Sequence, residues 1–528
     1  MLSELGYKIY HSVITFNSWW WEVDNQQDEL ARLILTICVP CLLLVWYKWM
    51  LYYTKNPKTL LPPGPYGLPI LGYLPFFGSQ VHEIFTSMAN KYGPIFSLRL
   101  GSKLVVVVNT IDLVKIVARE QDQIFANRNA PTTAVTITYG ATDVVWSDSN
   151  PNWKNMRRIL VSQVLCNKNL NTFQSFRRNE VRKVVNELYT KLGAKININQ
   201  IAFNTSLNIV TSMLWGYTKP VYNIDEFRDV EFKIIELLGA PNISDFIPTL
   251  SKFDIQGFNR DMQKQYKYID HIFNCMIEEK VKAKRKIGED ELKDTLQTLL
   301  DLKDQINDPA TFNMTHIKAL LLNIVVGATD TTSTMVEWAM AMILAYPDVM
   351  KKIQEELTEV IGMNNVVEES DIPKLTYLDA VVKETFRLHP AVPLLIQRSP
   401  DESCNVGGYT IPKGTIVYIN VWAIHRDPSN WKDPLEFKPE RFLNGKWDYN
   451  GINFKFMPFG VGRRICPGIV VGDKMLIYVL ASLLHSFDWS LPKDEEFQLT
   501  DEFGIVAKKR KPLIAIPSQR LSSASLYD

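Results

Sequence analysis

"FMPFGVGRRICPG", residues 456–468, sets one cysteine in a loop crowded with glycine and preceded by two arginines. The loop feeds directly into "IVVGDKMLIYVLASLLH" (469–485), an apolar run that reads as a helix. Two chemistries fail there. A phosphate cradle needs Gly-Lys-[ST] or G-x-G-x-x-G, and after Gly460 and Gly462 the third glycine position holds Ile465. A zinc site needs neighbouring Cys or His ligands, and His425 and His485 are not at ligand spacing. An ordinary packing cysteine stays open, although it has no use for glycines on both sides.

A single anionic axial ligand to haem fits these residues better. A thiolate at Cys466 can draw on the backbone N–H groups of Gly462 and Gly468 and on the positive end of the following helix. Iron supplies the largest charge, and hydrogen bonds to the sulfur tune it. Arg464 is placed to meet a haem propionate, and Phe459 to cover the sulfur side of the ring. Phe459-x-x-Gly462-x-Arg464-x-Cys466-x-Gly468 resembles, at every fixed position, the haem-thiolate signature of the cytochrome P450 monooxygenases. A thiolate ligand favours O–O cleavage over oxygen carriage.

The resemblance extends in order along the chain. Glu384 and Arg387 in "ETFR", one helical turn apart, followed by Arg441 in "PERF", are similar to the family's Glu-Arg-Arg network. By itself such an ExxR is usually a surface pair. Trp153 and Arg157 in "WKNMR" match the propionate-binding WxxxR, and Arg398 matches a further propionate position, with Gln397 where many relatives carry His. Gly327-Ala328-Thr329-Asp330-Thr331-Thr332 resembles the family's oxygen-binding stretch, with Ala328 replacing the usual second glycine. Splitting dioxygen needs two protons delivered to the distal oxygen; the Thr331 hydroxyl can hold the hydroperoxo ligand and a water, and Asp330 can connect that water to solvent. A local kink is expected where water takes up helix hydrogen bonds, against the plainer reading of threonines bonding back to their own helix. The Asp330–Thr331 pair argues for monooxygenation over haem-thiolate isomerases or dehydratases, which need no proton relay.

The 528 residues, 46% apolar, allow a large core, and the net charge of +1 argues against a nucleic-acid footprint. Lys508-Lys509-Arg510-Lys511 reads as a solvated edge. Six scattered cysteines suit a reducing compartment, and Cys38 and Cys41 read as packing residues. Residues 33–53 carry only one charge, Lys48, and as a helix would span about 31 Å, enough to cross a membrane. Trp46, Trp49, Tyr52 and Tyr53 belt its far end, Lys55 and Lys58 follow it, and Asp24, Asp28 and Glu29 precede it. This predicts a retained signal anchor, not a cleaved leader, with a lumenal or interfacial segment 1–32 (including Trp19-Trp20-Trp21) and a cytosolic body. Such a location leaves the sequons at Asn204, Asn242 and Asn313 unmodified. Prolines 62, 63, 65 and 69 make 54–72 a semi-rigid hinge before a single catalytic domain, 73–528.

Within that body the periodicity predicts helices over 179–193, 259–284, 312–346, 347–361 and 375–388, a hairpin over 90–109 and strands over 409–427. The fold class expected is mainly α (α+β), the P450 fold, with small sheets.

No flavin or nicotinamide fingerprint is present, so electrons come from another protein; the resemblance implies a membrane-bound NADPH-dependent flavoprotein reductase at the endoplasmic reticulum. Arg463, Arg157 and Arg158 are candidate docking charges. Alignment to the family's substrate-recognition stretches places 130–146, Asn323 to Ala328 (including Gly327), 391–396 (Ala391, Val392, Leu394) and 503–507 (Ile505) over the distal haem face. These are mostly small or aliphatic, with no free base to hold a carboxylate, so an apolar substrate follows. Asn323 either bonds an oxygenated substrate or is a packing amide. The hinge and "YGATDVVWSDSNPNWKNMRRI" resemble a plant microsomal branch containing sesquiterpene oxidases, which implies terpene hydroxylation here, with alcohol-to-ketone oxidation as its extension. A flavonoid or phenylpropanoid hydroxylase is the alternative; a haem sensor or electron carrier would need neither the Asp-Thr pair nor an apolar pocket.

Overall fold

A computed structural model describes residues 26–55, 60–216, 223–284, 293–445 and 447–528. The triple-tryptophan stretch and most of segment 1–32 therefore lie outside the described residues. The 33–53 run falls within helix α1, Gln26–Lys55, whose Leu33, Ile34, Ile37, Leu42, Leu43 and Leu44 are all exposed.

The body is helix-rich, as expected. Helix α2 (Val81–Tyr92) leads into strands β1 (Ile95–Leu100) and β2 (Lys103–Val108), the hairpin foreseen around Gly101. Gly101 is obligatory there: its φ is +57°, and a Cβ would stand 2.3 Å from the Phe246 carbonyl oxygen. Helices α3 (Pro151–Ile159), α4 (Gln174–Tyr189), α5 (Ile198–Trp215), α6 (Ile224–Gly239) and α7 (Phe258–Lys284) follow. Helix α8, Met314–Ala345, runs through the centre against α5, and its apolar residues from Ile317 to Ile343 are almost all buried. Its length and hydropathy would suit a membrane span, but burial makes it a core helix, like the final helix of the fold. Asn313 caps it, accepting from the His316 amide, so this sequon asparagine serves a helix end; Asn242 likewise caps Ile243–Phe246.

Helices α9 (Pro347–Val360) and α10 (Thr376–Leu388) lie within two residues of their sequence-based limits. The 409–427 stretch differs. It gives strands Tyr409–Ile411 (β3) and Ile416–Ile419 (β4), then breaks into a helical turn at Val421–Ile424, because the Asn420 side chain accepts from the Ala423 amide and caps a helix. Strand β4 joins β2 in parallel, Val105 opposite Ile416, completing a three-stranded sheet. Helix α11, Ile469–Ser486, packs on α8. The chain finishes with short pairings, among them β5 (Asp501–Glu502) with β6 (Lys508–Lys509).

The cysteine loop sits where two apolar cores meet. Phe456 belongs to the large helical core, whereas Met457 and Val461 belong to the core beneath the sheet. The loop is thereby fixed from both sides.

Candidate active site

The Cys466 amide donates to the Phe459 carbonyl (3.0 Å), and the Gly468 amide donates to Cys466 Sγ (3.3 Å). Gly468 is also the N-cap of α11, so the sulfur lies at that helix's positive end. Gly462 acts differently from expectation. Its φ is +69° and a Cβ would meet the Ala118 carbonyl oxygen at 2.2 Å, so it lets the loop reverse against that chain; among the described residues only Gly468 donates to the sulfur. Phe459 packs against Phe386 and Tyr449, with ring centroids 5.1 and 4.9 Å away. Burial pushes the Cys466 thiol upward in pKa, while the Gly468 amide and Arg157 draw it back. A thiolate there calls for one more positive charge, which a metal ion supplies.

Four arginines converge beside this loop. Arg157 donates to the Ile465 carbonyl (2.6 Å), Arg398 to Val461 (2.6 Å), and Arg464 to Ala126 (2.7 Å), Val144 (3.2 Å) and Ser147. The fourth, Arg128, donates to Ile396 (2.8 Å), Gln397 (2.7 Å) and Val145 (3.0 Å). Arg398 is set by its own backbone, which exchanges hydrogen bonds with Val417 of β4 at 2.8 Å. Trp153 is the platform for Arg464, whose guanidinium lies 4.1 Å from its ring centre. Burial brings Arg398 down to about 10 and Arg464 to about 9, the latter also through repulsion from Arg398 and Arg157. Arg128 falls well below its ordinary value, through burial and then repulsion from Arg464 and Arg398. Asp143 is the buried carboxylate among them, and Arg398 Nη1 is buried without a partner. So much cationic charge in one place suits an anionic group, and the paired propionates of haem fit it.

Glu384 and Arg387 are fully buried, contrary to the usual surface ExxR. Arg387 Nε donates to Glu384 Oε2 (2.7 Å) and Nη2 to Oε1 (2.8 Å); Arg441 Nε donates to Oε1 (3.0 Å). Arg387 also donates to the carbonyls of His425 and Pro434, both at 2.7 Å.

On α8, Gly327 is exposed although its neighbours Val325, Thr329 and Asp330 are buried, and a Cβ placed on it would meet no atom within 4 Å. Open space therefore lies beside the helix at this point. The helix is assigned without interruption from Met314 to Ala345, so the expected kink is not seen as a break; the Thr331 hydroxyl instead donates to the Gly327 carbonyl (2.7 Å). Asp330 is 1% exposed and its Oδ1 meets Lys508 Nζ at 2.6 Å. This corrects two expectations. Asp330 reaches solvent only through a partner, and Lys508-Lys509-Arg510-Lys511 is not a plain solvated edge. Lys508 is drawn inward by Asp330, and Lys509 is buried over the Trp338 ring. Arg510 and Lys511 remain exposed.

A family model described as cytochrome P450 matches residues 62–516. The chain belongs to the cytochrome P450 family. This P450 is 37% identical to geraniol 8-hydroxylase of Catharanthus roseus over 500 residues, covering 93% of this chain and 99% of that one. It is 36% identical to drimenol monooxygenase of Persicaria hydropiper (92% and 97% covered) and 37% identical to a flavonoid 3'-monooxygenase of Crocosmia x crocosmiiflora (90% and 96%). A zebra fish cytochrome P450 structure with progesterone superposes with a TM-score of 0.73 at 26% identity, covering 83% of this chain and 99% of the other. Membership makes the protein an oxidoreductase of the monooxygenase class and implies a haem cofactor, a substrate, dioxygen and a redox partner.

The structure distributes the remaining residues foreseen over the distal haem face unevenly. Ala328, Val392 and Ile505 are half-buried on the helical core, and the Ala507 amide donates to the Ala391 carbonyl (2.8 Å). Leu394 packs elsewhere, in the core around Phe85, Phe96 and Ile416. Asn323 is occupied: it donates to Asp143 Oδ2 (2.9 Å) and accepts from the Val144 amide (2.8 Å), the packing role of the two envisaged. Arg128, Asp143 and Lys508 went unrecognised in the sequence. Only a three-dimensional cluster exposes the first two, and Lys508 was hidden in a basic run.

Proposed function

We propose that this P450 hydroxylates a small apolar terpenoid, with sesquiterpenes the leading class and further oxidation of the alcohol to a ketone a natural extension. The observation that carries the reading is the likeness to geraniol 8-hydroxylase and drimenol monooxygenase over nine-tenths of the chain. The half-buried aliphatic side chains of Ala328, Val392 and Ile505 on the helical core support it, since apolar sites match apolar ligands. Flavonoid hydroxylation is the second reading, favoured by the equal identity to the Crocosmia enzyme.

When bound, haem supplies the iron at which dioxygen is activated. Cys466 Sγ, which accepts from the Gly468 amide, would hold that iron, and Arg128, Arg157, Arg398 and Arg464 would bind the carboxylates of the ring. Glu384, Arg387 and Arg441 lock the segment that carries the loop. Thr331 holds a proton at its hydroxyl above Gly327, and Asp330 passes protons inward, its charge kept by Lys508. The apolar lining orients the substrate and excludes bulk water.

The electrons come from an NADPH-dependent flavoprotein reductase, and the protein is anchored in the endoplasmic reticulum membrane by residues 33–53, with 54–72 the hinge and 73–528 the cytosolic catalytic domain. Of the docking charges, Arg158 and Arg463 are exposed, Arg158 donating to Asn155 (2.9 Å) and Arg463 paired with Asp122 (3.1 Å), whereas Arg157 is held at Ile465; Arg158 and Arg463 are therefore the two placed to meet an acidic partner. Reconstitution with a reductase and a panel of terpenes and phenylpropanoids tests the assignment. Substrate-type spectral shifts and hydroxylated products with sesquiterpenes are expected; turnover of flavonoids alone overturns it.

A further inference from the structure

Glu231 lies on α6, 1% exposed, at the place where α6, α8 and β6 meet. Neither carboxyl oxygen accepts a hydrogen bond. Thr329 stands alongside, but its hydroxyl donates to the Val325 carbonyl at 2.8 Å. Asp330 sits against the same spot with Oδ1 taken by Lys508 and Oδ2 buried without a partner. Lys508 Nζ, paired with Asp330, also lies 5.0 Å from the ring centre of Phe232, the residue after Glu231, which brings the one ammonium close to this part of α6. Two buried carboxyl groups with open acceptor positions thus stand near a single cation, and Glu337, further along α8, is already occupied by Asn199 and the Leu513 amide.

A buried carboxylate without hydrogen bonds is costly and takes up a proton instead. Burial, and then the neighbouring Asp330, push the Glu231 carboxyl well above the ordinary range. Burial also raises Asp330, but Lys508 opposes that shift directly, so Asp330 ionises first. With both Glu231 oxygens unpartnered and Asp330 held by Lys508, Glu231 is the better seat for a proton of the two.

We propose that Glu231 is the proton reservoir of this P450, a positioning residue that acts through Asp330. The inference rests on the proton role given above to Asp330 and Thr331. In the step, the O–H bond of Glu231 breaks and a new O–H forms at Asp330 Oδ2; that bond breaks in turn as the proton goes on to the Thr331 hydroxyl, which restores the Asp330 carboxylate, with no electron transferred. Glu231 then regains a proton by way of the part-exposed Lys508 ammonium, which solvent water reprotonates. Lys508 keeps Asp330 a carboxylate between steps, so that it is always ready to accept.

The test begins with infrared spectroscopy of the purified protein at neutral pH, which reads protonation whether or not the enzyme turns over. A carbonyl stretch from a buried neutral carboxylic acid is expected in the wild type and should vanish in Glu231→Gln, an isosteric change. Product formed per NADPH should fall about tenfold in that variant, with an altered solvent deuterium isotope effect, and recover in part in Glu231→Asp. Should Glu231→Gln fail to load haem, Glu231→Leu removes the buried carboxyl outright, and the same loss of band and coupling is expected. A band that persists in the variant, or wild-type coupling with an unchanged isotope effect, overturns the proposal. Thr331→Ala, measured in parallel, separates the two ideas: normal coupling there sinks the Asp330–Thr331 relay itself, whereas uncoupling there with normal coupling in Glu231→Gln sinks only the role of Glu231.

Discussion

Replacing Glu384 with alanine isolates the charge at the centre of the haem-bearing framework. The carboxylate accepts two hydrogen bonds from Arg387, one from Arg441 and one from the Lys438 amide at 2.8 Å. Its removal leaves three partners in unequal trouble. Arg441, with 12% of its side chain exposed, can turn to water and keeps its bonds to the carbonyls of Lys432 and Asp433. Arg387 cannot; its side chain is wholly buried. An unpaired buried charge of this kind costs about 3–5 kcal/mol, and an orphaned amide adds about 1–3 kcal/mol. Against a total stability of about 5–15 kcal/mol, the variant should be close to unfolded and poor in haem. Expression, haem content and thermal melting by circular dichroism measure this. Glu384→Leu combined with Arg387→Met should recover much of the loss, because no unpaired ion remains in the core and methionine can pack on Trp431, over which Arg387 now lies at 5.2 Å. Refutation is clear: a Glu384→Ala protein that binds haem fully and melts like the wild type, or a double variant worse than the sum of the singles.

Three further outcomes are expected. Thr331→Ala should keep haem but spend NADPH without matching product, releasing hydrogen peroxide, read by comparing NADPH consumed with product formed. Arg128→Leu should fold with normal helix content yet lose haem faster to an acceptor apoprotein, since the ring carboxylates lose a buried cation while neighbouring arginines are relieved of repulsion. Asp473 sits on α11 with its carboxyl raised to about 6 by burial and then by Asp379. Because the folded value lies above the unfolded one, the favourable contribution is complete below about pH 4 and is lost as pH rises through 6; Asp473→Asn should match the wild type in acid and exceed it by up to about 3 kcal/mol at pH 7, measured by denaturation across that window.

The parts legible in the sequence were those governed by local pattern. The Phe459–Gly468 loop, the Glu384–Arg387 turn and the long helices announce themselves through spacing, since a few consecutive residues settle their geometry. The 409–427 stretch misled at its end because Asn420, a capping residue, outweighs the β-branched residues around it. What escaped depends on contacts across the chain. Lys508 and Asp330 are separated by most of the carboxyl-terminal half, and nothing in a run of four basic residues shows that one turns inward. Arg128 likewise means little until Arg398 and Arg464 stand beside it. Asn323 lay on the expected helix, but its amide serves Asp143 from a distant loop.

The most direct measurement is the absorbance of the reduced carbon monoxide adduct of the purified protein, taken with Cys466→Ser and Cys466→His beside it. Thiolate ligation from Cys466 predicts the red-shifted Soret band of a sulfur-ligated haem in the wild type, absent from both variants. A wild-type spectrum matching imidazole-ligated haem, or a sulfur-type band surviving in Cys466→Ser, contradicts the account.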